Sequence, residues 1–194
     1  MPKEPDGFLP PHGGYAELLS YQKARIVFDG TVFFTKRWLP THGDRTVDQM
    51  VQAARSGKQN IAEGSAVSGT SKEFEIKLTN VALASMRELQ EDYEDFLRTR
   101  RLAVWSASHP LAQHLRKLNR TAATTYDTFR RGIENDDPEI AANVLLGLVK
   151  VTCYLLQRQV AALERDFLRH GGLRERMSQA RREARNRDQR DQRD

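Results

Sequence analysis

A chain of 194 residues is long enough for one domain with a buried core, and 31 Lys and Arg against 26 Asp and Glu leave it at +5 with a pI near 9.5. That balance favours a polyanionic partner or an anionic surface. A lone cysteine, Cys153, inside an apolar run argues against a disulfide framework and fits a reducing cytoplasm. The opening stretch MPKEPDGFLPPHGG lacks the apolar segment of a signal peptide, and no apolar run approaches the ~20 residues that span a bilayer. The expectation is a soluble cytoplasmic protein without a membrane partner.

Residues 1–14 hold four of the seven prolines and three glycines, and read as an extended arm. From Tyr15 to Leu39 the pattern is helical. Leu19, Ile26 and Phe33 fall seven apart, and a second set, Val27, Phe34 and Trp38, lies on another face. Pro40 and Gly43 end that helix. A second helix is expected from about Thr46 to Glu63, opened by a Thr46/Gln49 capping box. Its small residues Ala54 and Gly57 let a neighbour come close. Gly57 costs about 1 kcal/mol against alanine, which tight packing offsets.

The third helix spans about Ser71–Arg101. One stripe is Phe74, Leu78, Val81, Ala82, Ser85, Leu89, Tyr93 and Phe96; Ile76, Leu83, Met86 and Leu97 lie off it. The second apolar face asks for an extra helix or a neighbouring subunit. AVWSASHP breaks the pattern. A fourth helix follows over about Leu111–Ile133, with Arg116, Lys117 and Arg120 on its polar face. Asp137 and Pro138 then restart a helix as N-cap and first position, and Gly171 and Gly172 end it. Ile140–Leu156 is apolar almost all round and reads as the central helix. The tail from Leu173 carries eight arginines and five acids and is expected to fray beyond its start.

GSAVSGTSK, Gly64 to Lys72, resembles a phosphate-binding loop only superficially. Thr70 stands where the lysine belongs, and a helix precedes the segment where a strand is required. The structural reading makes Gly64 the glycine that ends helix two, and Thr70 with Glu73 a capping box for helix three. Asn60 and Glu63 are either a solvated helix end or partly buried groups that fix the turn. His12, His42, His109, His114 and His170 show no metal-ligand spacing. The acids Glu88, Glu91, Asp92, Glu94 and Asp95 read as a solvated face paired with Arg98, Arg100 and Arg101. No catalytic constellation emerges, and neither enzymatic activity nor a cofactor is expected.

The pieces NIAEG (Asn60, Ile61, Ala62, Glu63, Gly64), SKEF (Ser71–Phe74) and ALASMREL (Ala82–Leu89) resemble, in order and spacing, the bacterial four-helix-bundle family encoded in 23S rRNA intervening sequences. Relatives of that family include accessory proteins of diversity-generating retroelements. SYQKARIVFDGT in helix one is similar too, and the stretch from Pro138 to Met177 resembles a C-terminal region found on some members. The resemblance covers most of Tyr15–Met177. It implies an up-down four-helix bundle in a pentameric ring that associates with nucleic acid. Family bundles are usually shorter, so the segment at about 110–134 reads as an inserted extra helix. The expected fold is therefore all-α: an arm at 1–14, a bundle at 15–170 and a basic tail at 171–194.

Two functions follow. The first is a non-enzymatic homo-oligomeric scaffold that binds RNA or DNA through Arg116, Lys117, Arg120, Arg174, Arg176, Arg181, Arg182, Arg185 and Arg187, since guanidinium forks match phosphate geometry. Eight arginines less five acids leave the tail at only +3, a modest attraction. The second is an accessory factor that docks a protein partner such as a polymerase.

Overall fold

The structure, a computed structural model, describes residues 13–39, 45–121 and 124–191, with side chains to residue 186. The elements are a 3-10 turn (Tyr15–Glu17), α1 (Leu19–Trp38), α2 (Arg45–Val67), α3 (Lys72–Thr99), α4 (Pro110–Arg120), α5 (Tyr126–Ile133), α6 (Pro138–His170) and α7 (Leu173–Asp191). No strand occurs among the described residues. The arm expected at 1–14 lies almost wholly outside them, as do Pro40 and Gly43. Gly13, at its end, donates its N–H to the Ser65 carbonyl at 3.1 Å.

Four long helices close on one another: α1 packs on α2 and α6, and α3 packs on the same two. This arrangement corrects two readings of the sequence. On α1 the arc facing its neighbours runs through Ala24, Val27, Thr31 and Phe34, while Leu19, at its first residue, is 59% exposed. On α3 the apolar residues off the main stripe, Leu83, Met86 and Leu97, are buried in the core of this chain. Helices α2 and α6 of the same chain both pack on α3, with Met86 against Gly57 of α2, so these three carry no argument for a subunit contact. Phe74 and Val81, expected in the core, are 47% and 42% exposed.

Gly57 does let α3 approach. A Cβ there would collide with Met86, which is fully buried. Gly64, however, is not the end of α2. The helix runs on to Val67, and Gly64 lies inside it, where a Cβ would sit 3.4 Å from the Glu75 carbonyl and the Leu78 Cβ. Close helix–helix approach, rather than a left-handed backbone, is what the glycine serves. The cap of α3 is Ser71, whose Oγ accepts from the Phe74 N–H at 3.2 Å, not Thr70. At the other end of α3, Arg101 takes a left-handed φ of 56°, and the Leu102 N–H reaches the Leu97 carbonyl at 2.9 Å. This is a Schellman closure without the usual glycine.

The single helix expected over Leu111–Ile133 is two, α4 and α5, separated at Thr121–Thr125. Threonines favour caps and turns over helix interiors because their hydroxyls compete for backbone groups. Here the Thr125 N–H donates to Thr128 Oγ1 at 3.1 Å and opens α5. α6 starts as the sequence indicates: Asp137 Oδ1 accepts from the Glu139 N–H at 2.8 Å, with Pro138 in the first turn. At 33 residues it extends roughly 50 Å. Contrary to the expectation from the sequence, it contains an 18-residue stretch long and apolar enough to cross a membrane. That stretch is 61% buried within the protein, as suits a helix packed on α1, α3, α4 and α5.

Candidate nucleic-acid interface

The basic residues singled out in the sequence form two separate groups. Arg116, Lys117 and Arg120 project from α4, all exposed and without a carboxylate partner among the described residues. The other group lies on α7, which is helical to Asp191 rather than frayed beyond its start. α4 seats on α6 at Gly147, where a Cβ would collide with Leu115. From there to the end of α6, where α7 begins, is roughly 35 Å along the helix axis. The two groups therefore do not make one surface within a protomer.

Helix formation sorts the charges of α7. At about 100° per residue, Arg174, Arg181 and Arg185 fall within about 40° of one another, whereas Glu175 and Glu183 lie about 100–180° away. All three arginines are exposed. Asp188, seven residues on from Arg181, falls in nearly the same register, so only Glu175 and Glu183 are set apart from these arginines. Arg182 is exposed and lies off that face, about 20° from Glu175; Arg176 is partly covered and lies near Asp166. Arg187 belongs to α7, and its side chain is outside the described residues.

A polar junction fixes where α7 starts. Gly171, at φ 65°, bonds back to the Phe167 carbonyl at 2.8 Å, and the Gly172 N–H donates to Glu175 Oε2 at 3.0 Å. Alongside, Lys72 bridges Glu75 at 2.9 Å and Asp166 at 3.7 Å, while His170 pairs with Asp166 at 2.9 Å. The His170 hydrogen bond, helped by Lys72, holds the Asp166 carboxyl below its usual range.

α4 is held by polar groups that the sequence did not flag. Asn143, almost fully buried on α6, donates to the carbonyls of Ala103 at 2.8 Å and Glu139 at 2.9 Å, and accepts from the Trp105 N–H at 2.9 Å. It pins the strap Leu102–His109 to α6. Lys23 of α1 donates to Asn119 Oδ1 at 2.8 Å and Thr124 Oγ1 at 2.6 Å, and lies over the Phe129 ring. Burial lowers its amine to about 8. The visible signal for Asn143 was one amide inside the run AANVLLGLV.

The residues NIAEG do not fix the turn between α2 and α3. Ile61 is core, Gly64 is the contact point, and Asn60 Nδ2 donates to the Ser56 carbonyl of its own helix at 2.8 Å. Glu63 is exposed. The acidic face of α3 is solvated with one exception. Asp95 pairs with Arg98 at 2.7 Å and Glu94 with Lys150 at 2.9 Å, but Asp92 is partly buried, with Oδ2 unpartnered among the described residues. Burial, then the charges of Glu88, Asp95 and Glu91, raises its carboxyl to about 6. It borders a cavity of about 430 Å³ with Asp95, Thr46, Gln49 and Arg100, which no histidine or cysteine lines among the described residues. Burial pushes the Cys153 thiol up to about 11, so it stays protonated. Comparison of the chain with family models, with curated proteins and with solved structures returns no match.

Proposed function

We propose that the protein is a non-enzymatic, homo-oligomeric scaffold that associates with nucleic acid, with α7 as its principal phosphate-binding element. The observation that carries this reading is the exposed face of Arg174, Arg181 and Arg185, set apart from Glu175 and Glu183 of the same helix. Guanidinium groups so placed suit successive phosphates of one backbone. The architecture in this reading is a four-helix bundle of α1, α2, α3 and α6, with α4 and α5 inserted between the third and fourth. The resemblance of NIAEG, SKEF and ALASMREL to the rRNA intervening-sequence family supports it, as does the mutual packing of those four helices. In an oligomer, a pentamer by that resemblance, each α7 repeats and weak contacts add.

Replacing Arg174, Arg181 and Arg185 together with glutamine is expected to weaken binding of a structured RNA about tenfold or more at low salt. The slope of log K against log salt should flatten by about two to three. Replacing Glu175 and Glu183 with glutamine should strengthen binding. Equal affinities for all three proteins would reject α7 as the interface.

A second reading has its own support. Phe74 and Val81 fall seven apart on α3 and stand exposed, which favours a protein contact on that side. In that case the molecule is an accessory factor that docks a protein, and its binding is insensitive to salt.

A further inference from the structure

A cavity of about 300 Å³ opens between α4, the Leu102–His109 strap and the outer side of α6. Its floor is apolar, formed by Leu115, Leu146 and Gly147. Gly147 draws α4 onto α6 at this point, and the following turns of α6, with Lys150 and Tyr154, are left uncovered beside it. Tyr154 is 55% exposed, and the Arg158 Nη1 donates to its phenol oxygen at 3.3 Å. Trp105 also lines the cavity, but its ring is already stacked on His109 at 4.7 Å between centroids. Tyr154 is thus the free aromatic face.

The rim is cationic. Arg116 stands on the α4 side without a carboxylate partner among the described residues, and Lys150 stands on the α6 side. Lys150 shares Glu94 at 2.9 Å, but both side chains are about half exposed, so the pair is weak and its ammonium keeps donors free. Two cations, Arg116 and Lys150, thus line the cavity, and Arg158 stands one turn along α6 on the Tyr154 hydroxyl. The cavity on the opposite side of α4, about 390 Å³, differs: Asp127 stands on its rim and no free aromatic face is presented.

We propose that this groove takes one unpaired nucleotide of a nucleic-acid strand, with the base on the Tyr154 ring and its phosphate between Arg116 and Lys150. The inference rests on the nucleic-acid reading above and adds that the strand must be locally single. An aromatic face beside an apolar floor takes a base only when it is out of its stack, and the flanking cations select a phosphate-bearing ligand over a purely apolar one. The volume lies at the lower end of small-ligand pockets, sufficient for one nucleotide and too small for a helix or duplex.

The test is fluorescence anisotropy of dye-labelled short single strands, as RNA and as DNA, and of an RNA duplex of the same length. The full-length protein is compared with Tyr154→Ala and Arg116→Gln. Both side chains are exposed, and circular dichroism checks that the variants fold. Tyr154→Ala is expected to weaken single-strand binding about 5- to 100-fold and to leave duplex binding close to that of the unaltered protein. Arg116→Gln should weaken it less, and most at low salt. Loss in RNA and DNA alike assigns base and phosphate as the recognised groups; loss in one alone names the strand. Single-strand binding unchanged in both variants overturns the groove while the polyanion reading stands. No binding of any strand or duplex by the unaltered protein overturns both.

Discussion

Replacing Asn143 with leucine is expected to lower stability by about 2–4 kcal/mol and to release the strap that carries α4. Leucine shares the branching of asparagine and suits its apolar helix, so a view based on hydropathy alone would expect a gain. The geometry says otherwise. The amide of Asn143 satisfies the Ala103 carbonyl and the Trp105 N–H, both across to the strap. Leucine leaves those two groups without partners, at about 1–3 kcal/mol for each that stays buried. α4 touches the rest of the chain chiefly through α6 and through Lys23, so the loss should be local before it is global. Urea unfolding gives the magnitude, and hydrogen exchange at Trp105 shows whether the strap opens first. A variant as stable as the parent, with Trp105 still protected, would mean that the strap is held by packing alone.

Asp92→Asn is expected to stabilise the protein at neutral pH and not in acid. The Asp92 carboxyl is raised from 3.8 to about 6 by burial and by its acidic neighbours. Between those values the folded state holds a proton that the unfolded state has released. Stability therefore falls as pH rises from about 4 to about 6, and the deficit persists above. The full displacement corresponds to about 3 kcal/mol. Because Asp92 is only partly buried and solvent screens it, about 1–2 kcal/mol is expected at pH 7. Urea midpoints for both proteins at pH 4 and pH 7 decide the matter. The gain should appear at pH 7 and vanish at pH 4; an equal gain at both would trace it to packing rather than charge.

The parts of this molecule legible in its sequence are those set by local chemistry or by long periodicity. Asp137 with Pro138 and Gly171 with Gly172 bracket α6 as expected, because caps depend on a few adjacent residues. The near-continuous apolar run of α6 marked it as central, and it is. Faces were harder. Whether Leu83 and Met86 meet another helix or another subunit depends on where α2 and α6 lie, which the periodicity of α3 does not contain. The α4–α5 break was written in the threonines at 121, 124 and 125, but an apolar stripe in step from Leu111 to Phe129 outweighed them. Gly64 ahead of a turn read over 65–69 looked like a helix end, and only the approach of Glu75 and Leu78 explains it. At the candidate interface, the arginines of α7 could be counted from the sequence. Their separation from Glu175 and Glu183 needed the helix to be continuous.

The central claim is that this fold binds nucleic acid through charge. The most direct measurement is anisotropy of a structured RNA with the full chain and with a chain ending at Gly172, each at roughly 50 mM and 200 mM salt. The expected result is binding by the full chain that weakens steeply with salt, and a tenfold or greater loss, with a flatter salt slope, once α7 is removed. No binding by the full chain even at the lower salt would contradict the claim, leave the arginine face of α7 as solvation, and transfer the role of the molecule to the exposed Phe74 and Val81 side of α3.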